Sequence, residues 1–210
     1  MKKINIFVFL ICCCFCTVKA QSIASVFNSI PDKILLPLDS IQRLDIVDLY
    51  NAGRAARIVN NLGDTSRLIS LNENYLALTT GNLQLEMALL PMINDSKIIC
   101  VIKTVCAPVC DSRVSFYTTD WKLMDSSVFF NPVEKNWFIL DGVDRNDEYF
   151  KTFEEALDMD LMQFGFENDG FSLIQIYTTP QYLSPDIRGK SDKYLKNEPK
   201  KYTWNKIRYE

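Results

Sequence analysis

Residues 97–120 constrain the fold of this chain more strongly than any other part of the sequence. Their first half, from Ile98 to Val105, is dominated by β-branched residues and is apolar at consecutive positions, which is typical of a strand covered on both faces. Residues 110–118 resume an extended pattern after a short interruption. The stretch therefore predicts a β-hairpin whose first strand lies inside a sheet.

Two cysteines bracket the turn of this hairpin and predict its register. Pairing Cys106 with Cys110 leaves the three residues 107–109 in the loop. This register places one consistent apolar set on one face and sets Lys103 opposite Arg113 on the other, which we expect to be solvated near the turn. A slip of one residue would move each side chain to the wrong face. The other predicted pairs are Thr104 with Ser112, Ile102 with Val114, and Cys100 with Phe116.

The two bracketing cysteines are expected to form a disulfide bond, because directly opposed residues of antiparallel strands lie close enough. Closing so short a loop contributes only about 2 kcal/mol in the chain-entropy model. Cys100 lies about 20 Å from Cys106 along an extended strand, so it is interpreted as a small buried hydrophobic residue. A redox pair would normally be C-x-x-C at a helix N-terminus, and a zinc site needs four ligands where only three cysteines follow residue 20. The spacing of the three cysteines therefore favours a structural role for them.

The first twenty residues have the features of a secretory signal peptide. Two lysines follow the first methionine, residues 4–16 form an apolar run, and residues 18–20 resemble a cleavage site. The run is too short to span a membrane, and no later apolar stretch is long enough. A lipid anchor is not expected, because Cys12 follows Ile11 and another cysteine follows in turn. We expect export to the periplasm or beyond, with the mature chain beginning at Gln21.

The sequence before the hairpin predicts two helices and then an antiparallel meander. Apolar residues recur at helical spacing over residues 23–30 and 41–50, and the second run follows a capping residue at Asp39 or Ser40. The clearest strand covers residues 83–89, where leucine and methionine alternate with polar or small residues. Further strands are predicted over residues 56–59, 68–71 and 75–80.

The sequence after the hairpin predicts one more helix. Thr152 and Glu155 resemble a capping box, and an apolar stripe continues to Phe164, so we expect a helix over about 152–164 that ends at Gly165. A strand over 171–178 and a closing edge strand over 202–209 are also expected. Residues 21–210 thus predict a single α+β domain: a predominantly antiparallel β-meander sheet, N-terminal helices, and the helix 152–164 packed on it.

Charge and composition exclude several functions. Residues 21–185 hold 12 basic and 22 acidic residues, whereas the C-terminal segment 186–210 holds 8 basic and 4 acidic residues. An acidic body with a basic end argues against a nucleic-acid partner. The chain contains no histidine, which excludes Ser-His-Asp and Cys-His nucleophiles and histidine-ligated metals. No catalytic residue, cofactor or metal is therefore assigned.

The lack of histidine does not exclude catalysis by carboxylates, because a glycosidase needs only two acids at a fixed separation. Residues 141–169 are rich in acids, but the glycine and terminal glutamate of an EF-hand are missing around Asp141, Asp144 and Asp147. A solvated acidic surface is the favoured interpretation. The ten acids are Asp141, Asp144, Asp147, Glu148, Glu154, Glu155, Asp158, Asp160, Glu167 and Asp169.

Aromatic residues provide the candidate binding surface. Phe116, Tyr117, Trp121 and Trp137 are the candidates for an apolar ligand or partner surface, although filling the core is the favoured role of such residues. A strongly curved meander could instead enclose an apolar ligand against the helix predicted near Thr152.

Two segments carry a resemblance to known proteins: I-I-C-V-I-K-T-V-C-A-P-V-C-D-S-R-V-S-F-Y-T-T-D-W at residues 98–121, and R-L-D-I-V-D-L-Y-N-A-G at residues 43–53. With them the chain resembles exported, uncharacterised proteins of anaerobic gut and oral bacteria that are classed only as a domain of unknown function. The resemblance implies export and brings no activity, cofactor or catalytic residue.

Three functions remain open at this point. The first is a non-catalytic binding or interaction module with an unknown protein partner. The second is a carrier that holds a small hydrophobic ligand between sheet and helix. The third is a carbohydrate-active enzyme that uses paired acids from residues 141–169. No transmembrane segment is expected for any of them.

Overall fold

The structure is a computed structural model that describes residues 21–167 and 170–210, so the predicted signal peptide and Asp169 lie outside the described residues. Seven strands form one antiparallel sheet whose spatial order follows the chain order. The predicted α+β class with a dominant antiparallel meander is confirmed. The strands are β1 (Arg57–Val59), β2 (Thr65–Leu71), β3 (Tyr75–Thr80), β4 (Leu83–Pro91), β5 (Lys97–Cys106), β6 (Cys110–Thr118) and β7 (Leu123–Met124).

The hairpin formed by β5 and β6 has the predicted register, including all five predicted cross-strand pairs. Ile99 and Val101 pack into a first hydrophobic cluster, whereas Cys100 and Ile102 pack into a second cluster on the opposite face. Strand β5 is therefore covered on both faces, as its continuous apolar run predicts. The face that carries Lys103 is less solvated than expected, because the Nζ atom of this lysine donates to the carbonyl oxygen of Ile34.

Two N-terminal helices, α1 (Ile23–Asn28) and α2 (Ser40–Asn51), cover the face of the first cluster. Helix α2 begins with a capping box, in which the Asp39 carboxylate accepts from the Gln42 amide while the Gln42 side chain accepts from the Asp39 amide. The indole nitrogen of Trp121 donates to the carbonyl oxygen of Val26 at 3.2 Å, which joins the end of the hairpin to α1.

A second antiparallel sheet of three strands covers the other face of the hairpin. Its order is β10 (Lys200–Tyr202), β9 (Leu173–Tyr177), β8 (Met162–Phe166). Strand β8 is an edge strand, and alternate amides along its edge donate to side chains of the seven-stranded sheet, so the edge is satisfied without another strand. The hydrogen bonds run from Met162 to Asp111 Oδ1 (3.1 Å), from Phe164 to Ser112 Oγ (3.0 Å) and from Phe166 to Glu86 Oε2 (3.2 Å).

The helix expected over residues 152–164 has different bounds and a different position. Helix α4 is Glu148–Ala156, its N-cap is Asp147, and the Thr152 hydroxyl donates to a carbonyl within the helix. Its buried side chains lie in a third cluster that, among the described residues, contains none from the seven-stranded sheet. The predicted end of the helix was wrong because the apolar spacing continues past Ala156 by coincidence: Phe164 belongs to β8 and is buried between the two sheets.

The basic C-terminal segment is part of the fold rather than a solvated tail. The closing edge strand is β10, shorter and earlier than the expected 202–209, and a bridge pairs Trp204 with Tyr209 beyond it. Both aromatic residues are buried in the second cluster. The remaining helices are α3 (Ser126–Phe129) and α5 (Pro185–Arg188), and short 3-10 turns occupy Lys135–Phe138, Thr179–Tyr182 and Ser191–Lys193.

Candidate functional site

The four aromatic residues expected to form a binding surface lie in three different places. Phe116 is fully buried between the sheets, with its ring centroid 5.2 Å from that of Phe129. Tyr117 points to the opposite face, where its ring lies 5.4 Å from that of Trp121, which is only 8% exposed. Trp137 is half-buried in the third cluster, far along the chain from the hairpin. They form no common surface, because the pleat sends neighbouring residues of a strand to opposite faces.

The predicted disulfide lies at the tip of the hairpin, with the sulfur atoms of Cys106 and Cys110 2.01 Å apart. The hydroxyl of Thr178 donates to the carbonyl oxygen of Cys110 at 2.7 Å, so the cystine turn is anchored to the end of β9. Cys100 is fully buried, and burial raises the pKa of its thiol well above the ordinary value. This thiol is therefore a packed hydrophobic group and not a nucleophile.

A groove of about 410 Å³ opens where the hairpin of β5 and β6, the segment 132–136 and the second sheet meet. We call it the inter-sheet groove. Apolar side chains, hydrogen-bonded polar groups and charged groups all contribute to its lining, as is typical of small-ligand and peptide sites. The lining residues are Asp111, Ser112, Pro132, Val133, Glu134, Lys135, Asn136, Asp160, Met162, Phe164 and Gln175.

The buried polar groups of the inter-sheet groove already have partners within the protein. The Gln175 side chain is only 1% exposed; its amide nitrogen donates to the Val133 carbonyl at 2.7 Å, and its oxygen accepts from the Tyr202 hydroxyl at 2.7 Å. The Ser112 hydroxyl lies 2.7 Å from that of Thr104. Because these groups are satisfied, the groove is preorganised and does not depend on a ligand for its structure.

The charged groups of the inter-sheet groove are mainly acidic. Asp111, Glu134 and Asp160 contribute three exposed carboxylates, and Lys135 contributes one ammonium group. The Lys135 Nζ atom lies 3.5 Å from the Asp160 carboxylate. Acids exceed bases at this site, so its electrostatics favour a ligand with a cationic group.

The acids of residues 141–169 lie in different environments in the structure. Of those that the structure describes, Asp160 is the one that lines the inter-sheet groove. Asp147 caps helix α4, and the Asp141 carboxylate lies 3.6 Å from the Lys196 Nζ atom on the surface. The two other carboxylates of the groove come from outside this acidic segment.

Sequence reasoning missed the carboxyl group with the most unusual environment, that of Glu86 on β4. It is half-buried, and its Oε2 atom accepts from the Tyr75 hydroxyl at 2.8 Å and from the Phe166 amide at 3.2 Å. Burial raises the pKa of this carboxyl group, although the two hydrogen bonds act in the opposite direction. The alternation along β4 places Glu86 opposite the helix-covered face, but no sequence signal indicates that β8 covers it.

The model of the family described as protein of unknown function (DUF3256) matches residues 15–209 of this chain. The chain belongs to the DUF3256 family. Its fold is similar to the "structure of a domain of an uncharacterized protein from Porphyromonas gingivalis W83", with 27% identity and a TM-score of 0.82 over 91% of this chain and 99% of that one. No curated protein matches the chain. Neither similarity assigns a function.

Two further observations bound what this DUF3256 protein can do. Within residues 21–167 and 170–210, no helix combines the length and the apolar character that a bilayer crossing requires. The same residues contain no group of three or more Cys, Asp or Glu side chains placed to hold a metal ion. We take the inter-sheet groove as the candidate site of the described chain, because it lies beside the cystine turn and combines apolar, polar and charged groups from three segments.

Proposed function

We propose that this DUF3256 protein is an exported, non-catalytic binding module whose ligand occupies the inter-sheet groove. One observation carries the proposal: the groove combines an apolar lining with exposed carboxylates, while its buried polar groups are satisfied by the protein itself. Such a site gains from burying the apolar part of a ligand and from pairing its charged part. Binding of this kind requires no catalytic step.

The chemistry of the groove points to a short segment of a partner protein that carries an apolar side chain beside a lysine or arginine. Val133, Met162 and Phe164 would contact the apolar side chain. The carboxylates of Glu134 and Asp160 would attract the cationic group. Charged pairs at exposed positions contribute about 0.2–1 kcal/mol each, so we expect moderate affinity with a clear charge preference.

The carrier hypothesis receives less support, because the space between the two sheets is filled by aromatic rings. The ring of Phe130 lies 5.5 Å from that of Phe164 and 4.9 Å from that of Tyr202. The helix that was expected to close an apolar cavity packs elsewhere. The enzyme hypothesis is also disfavoured, since a glycosidase needs a carboxyl group with raised pKa in its cleft and Glu86 does not line the inter-sheet groove.

Export is supported by the basic and apolar start of the chain and by the cystine turn. Disulfide bonds persist in oxidising compartments and are rare in the cytosol. The intact mass of the protein isolated from its native cells tests this part of the proposal. We expect the mass of a chain that begins at Gln21 with one disulfide; a chain that retains residues 1–20 would contradict it.

The binding proposal can be tested with fluorescein-labelled hexapeptides in which one leucine is flanked by two lysines, two glutamines or two glutamates, with glycine elsewhere. We expect the lysine peptide to bind at least about fivefold more tightly than the glutamate peptide in fluorescence polarisation, which corresponds to about 1 kcal/mol. The double variant Glu134→Gln/Asp160→Asn should lose most of this preference.

A matched control removes two exposed acids outside the groove, as in Glu155→Gln/Asp186→Asn. It has the same net charge as the groove variant and should keep the lysine preference. Equal binding of all three peptides, or an equal loss in both double variants, would contradict the proposal.

A further inference from the structure

The second sheet reaches β3, where the ring of Phe166 lies 5.9 Å from that of Tyr75, and on the same face it leaves the side chains of Arg57, Val59 and Arg67 on β1 and β2 exposed. We call this surface the open face. In the strand register, Arg57 on β1 is directly opposite Arg67 on β2, and Arg67 is opposite Thr79 on β3, which is opposite Gln84 on β4. These four residues form one polar row across four strands.

Burial shows which way this row points. Ile58, Leu68 and Leu78 all pack into the first cluster beneath the helices, so their chain neighbours point to the opposite face. Arg57 and Arg67 are exposed there. Val59 points the same way as Arg57 and is 68% exposed, which confirms that the described structure does not cover this end of the sheet.

Two arginines directly opposite each other are an unfavourable arrangement, because the Cβ atoms of such a pair lie only about 4.5–5.5 Å apart and the charges repel. Among the described residues, no carboxylate lies within ion-pair distance of either guanidinium group. The other like-charged pair of the sheet differs. Lys103, opposite Arg113, donates a hydrogen bond to the Ile34 carbonyl, so packing explains its position.

We propose that Arg57 and Arg67 form a binding site for the phosphate group of a small soluble phosphate monoester. Two guanidinium groups supply two positive charges and planar pairs of N–H donors, which match a phosphate dianion in charge and geometry. The Thr79 hydroxyl and the Gln84 amide continue the row and would bind hydroxyl groups of the same ligand. The repulsion between the arginines then becomes a source of affinity, since binding removes it.

This site differs from the inter-sheet groove in position and in sign of charge. The open face lies on β1 and β2 and is basic, whereas the groove lies beside β6 and the second sheet and is acidic. A ligand suited to one is repelled by the other. The two proposals can therefore fail independently.

The test measures binding of methyl phosphate, methyl sulfate and acetate by NMR titration of the arginine Nε–H signals, at constant ionic strength maintained with sodium chloride. We expect methyl phosphate to bind at least fivefold more tightly than the two monoanions. Arg57→Gln and Arg67→Gln should each weaken methyl phosphate binding at least tenfold, and Arg67→Lys should weaken it less, because it keeps the charge and loses the paired donors.

Arg113→Gln is the matched control, because it removes an exposed arginine from a like-charged pair on the opposite face of the same sheet. It should leave methyl phosphate binding unchanged. A second measurement needs no ligand: Arg67→Gln should raise the melting temperature in low salt, and this gain should diminish at high salt. The proposal is overturned if the three anions bind equally, if Arg113→Gln weakens binding as much as Arg67→Gln, or if Arg67→Gln lowers the melting temperature.

Discussion

The Glu86 carboxyl group is held where burial and hydrogen bonding oppose each other. Its Oε2 atom accepts from the Tyr75 hydroxyl and from the Phe166 amide, and these bonds favour the ionised form. Burial is the larger effect and raises its pKa. The same contact raises the pKa of Tyr75 well above its ordinary value, through burial and the adjacent carboxylate. The hydrogen bond from the Phe166 amide to Glu86 therefore fixes the edge of β8, while burial of the ionised carboxylate lowers the stability of the fold by an amount that depends on pH.

The direction of this pH dependence predicts how Glu86→Gln changes the stability of the protein. Because the folded pKa lies above the unfolded one, the wild-type protein loses stability as pH rises from about 4.5, the ordinary glutamate value, through the folded pKa. Glutamine keeps the oxygen acceptor and carries no charge. We expect the variant to gain stability relative to the wild type above this window, measured by urea unfolding between pH 4 and pH 8.

An exposed acid provides the control for this experiment. Glu155→Gln on helix α4 should change stability by less than about 0.5 kcal/mol at each pH. A Glu86→Gln variant that is less stable than the wild type at pH 8 would mean that the charge of Glu86 stabilises the fold, contrary to this account.

The element that organises the fold is the hairpin of β5 and β6, whose nine cross-strand pairs join the helix-covered cluster to the second sheet. Most of its stability comes from packing on both faces, because the cystine closes only a short loop. The disulfide should therefore fix the turn more than it stabilises the molecule.

The double variant Cys106→Ser/Cys110→Ser tests this division of roles. We expect it to fold and to lose about 2 kcal/mol or less in free energy of unfolding, measured by urea denaturation. The wild-type protein under reducing conditions should show the same loss, which serves as the control. A variant that fails to fold, or a loss much larger than that of the reduced wild type, would contradict the small contribution to stability that is assigned here to the disulfide.

The elements differ in how well the sequence predicts them, for physical reasons. The register of the hairpin is predictable because the cysteines and the apolar residues agree on one pairing. The helix over 152–164 is mispredicted because Phe153, Leu157 and Phe164 keep a helical spacing although α4 ends at Ala156. Strand β8 has five residues and includes Gly165, so its local preference is weak and only packing between the sheets decides its conformation.

At the scale of the whole molecule, the candidate site is formed by segments that are far apart in the sequence. Asp111 and Ser112 come from the hairpin, residues 132–136 from a connecting segment, and Met162 and Gln175 from the second sheet. No local motif can indicate such a site, because its residues meet only when the second sheet docks. The predicted disulfide lies beside it, whereas the predicted aromatic surface does not exist as one surface.

The most direct test of the binding account is to map where the lysine-flanked leucine peptide touches the protein, from shifts in the amide signals of ¹⁵N-labelled protein. The account predicts the largest shifts at Ser112, Val133, Met162 and Gln175, around the inter-sheet groove. Signals of α1, α2 and the open face should stay unchanged. Shifts concentrated on the helices or on β1 and β2, with the groove signals unmoved, would contradict it.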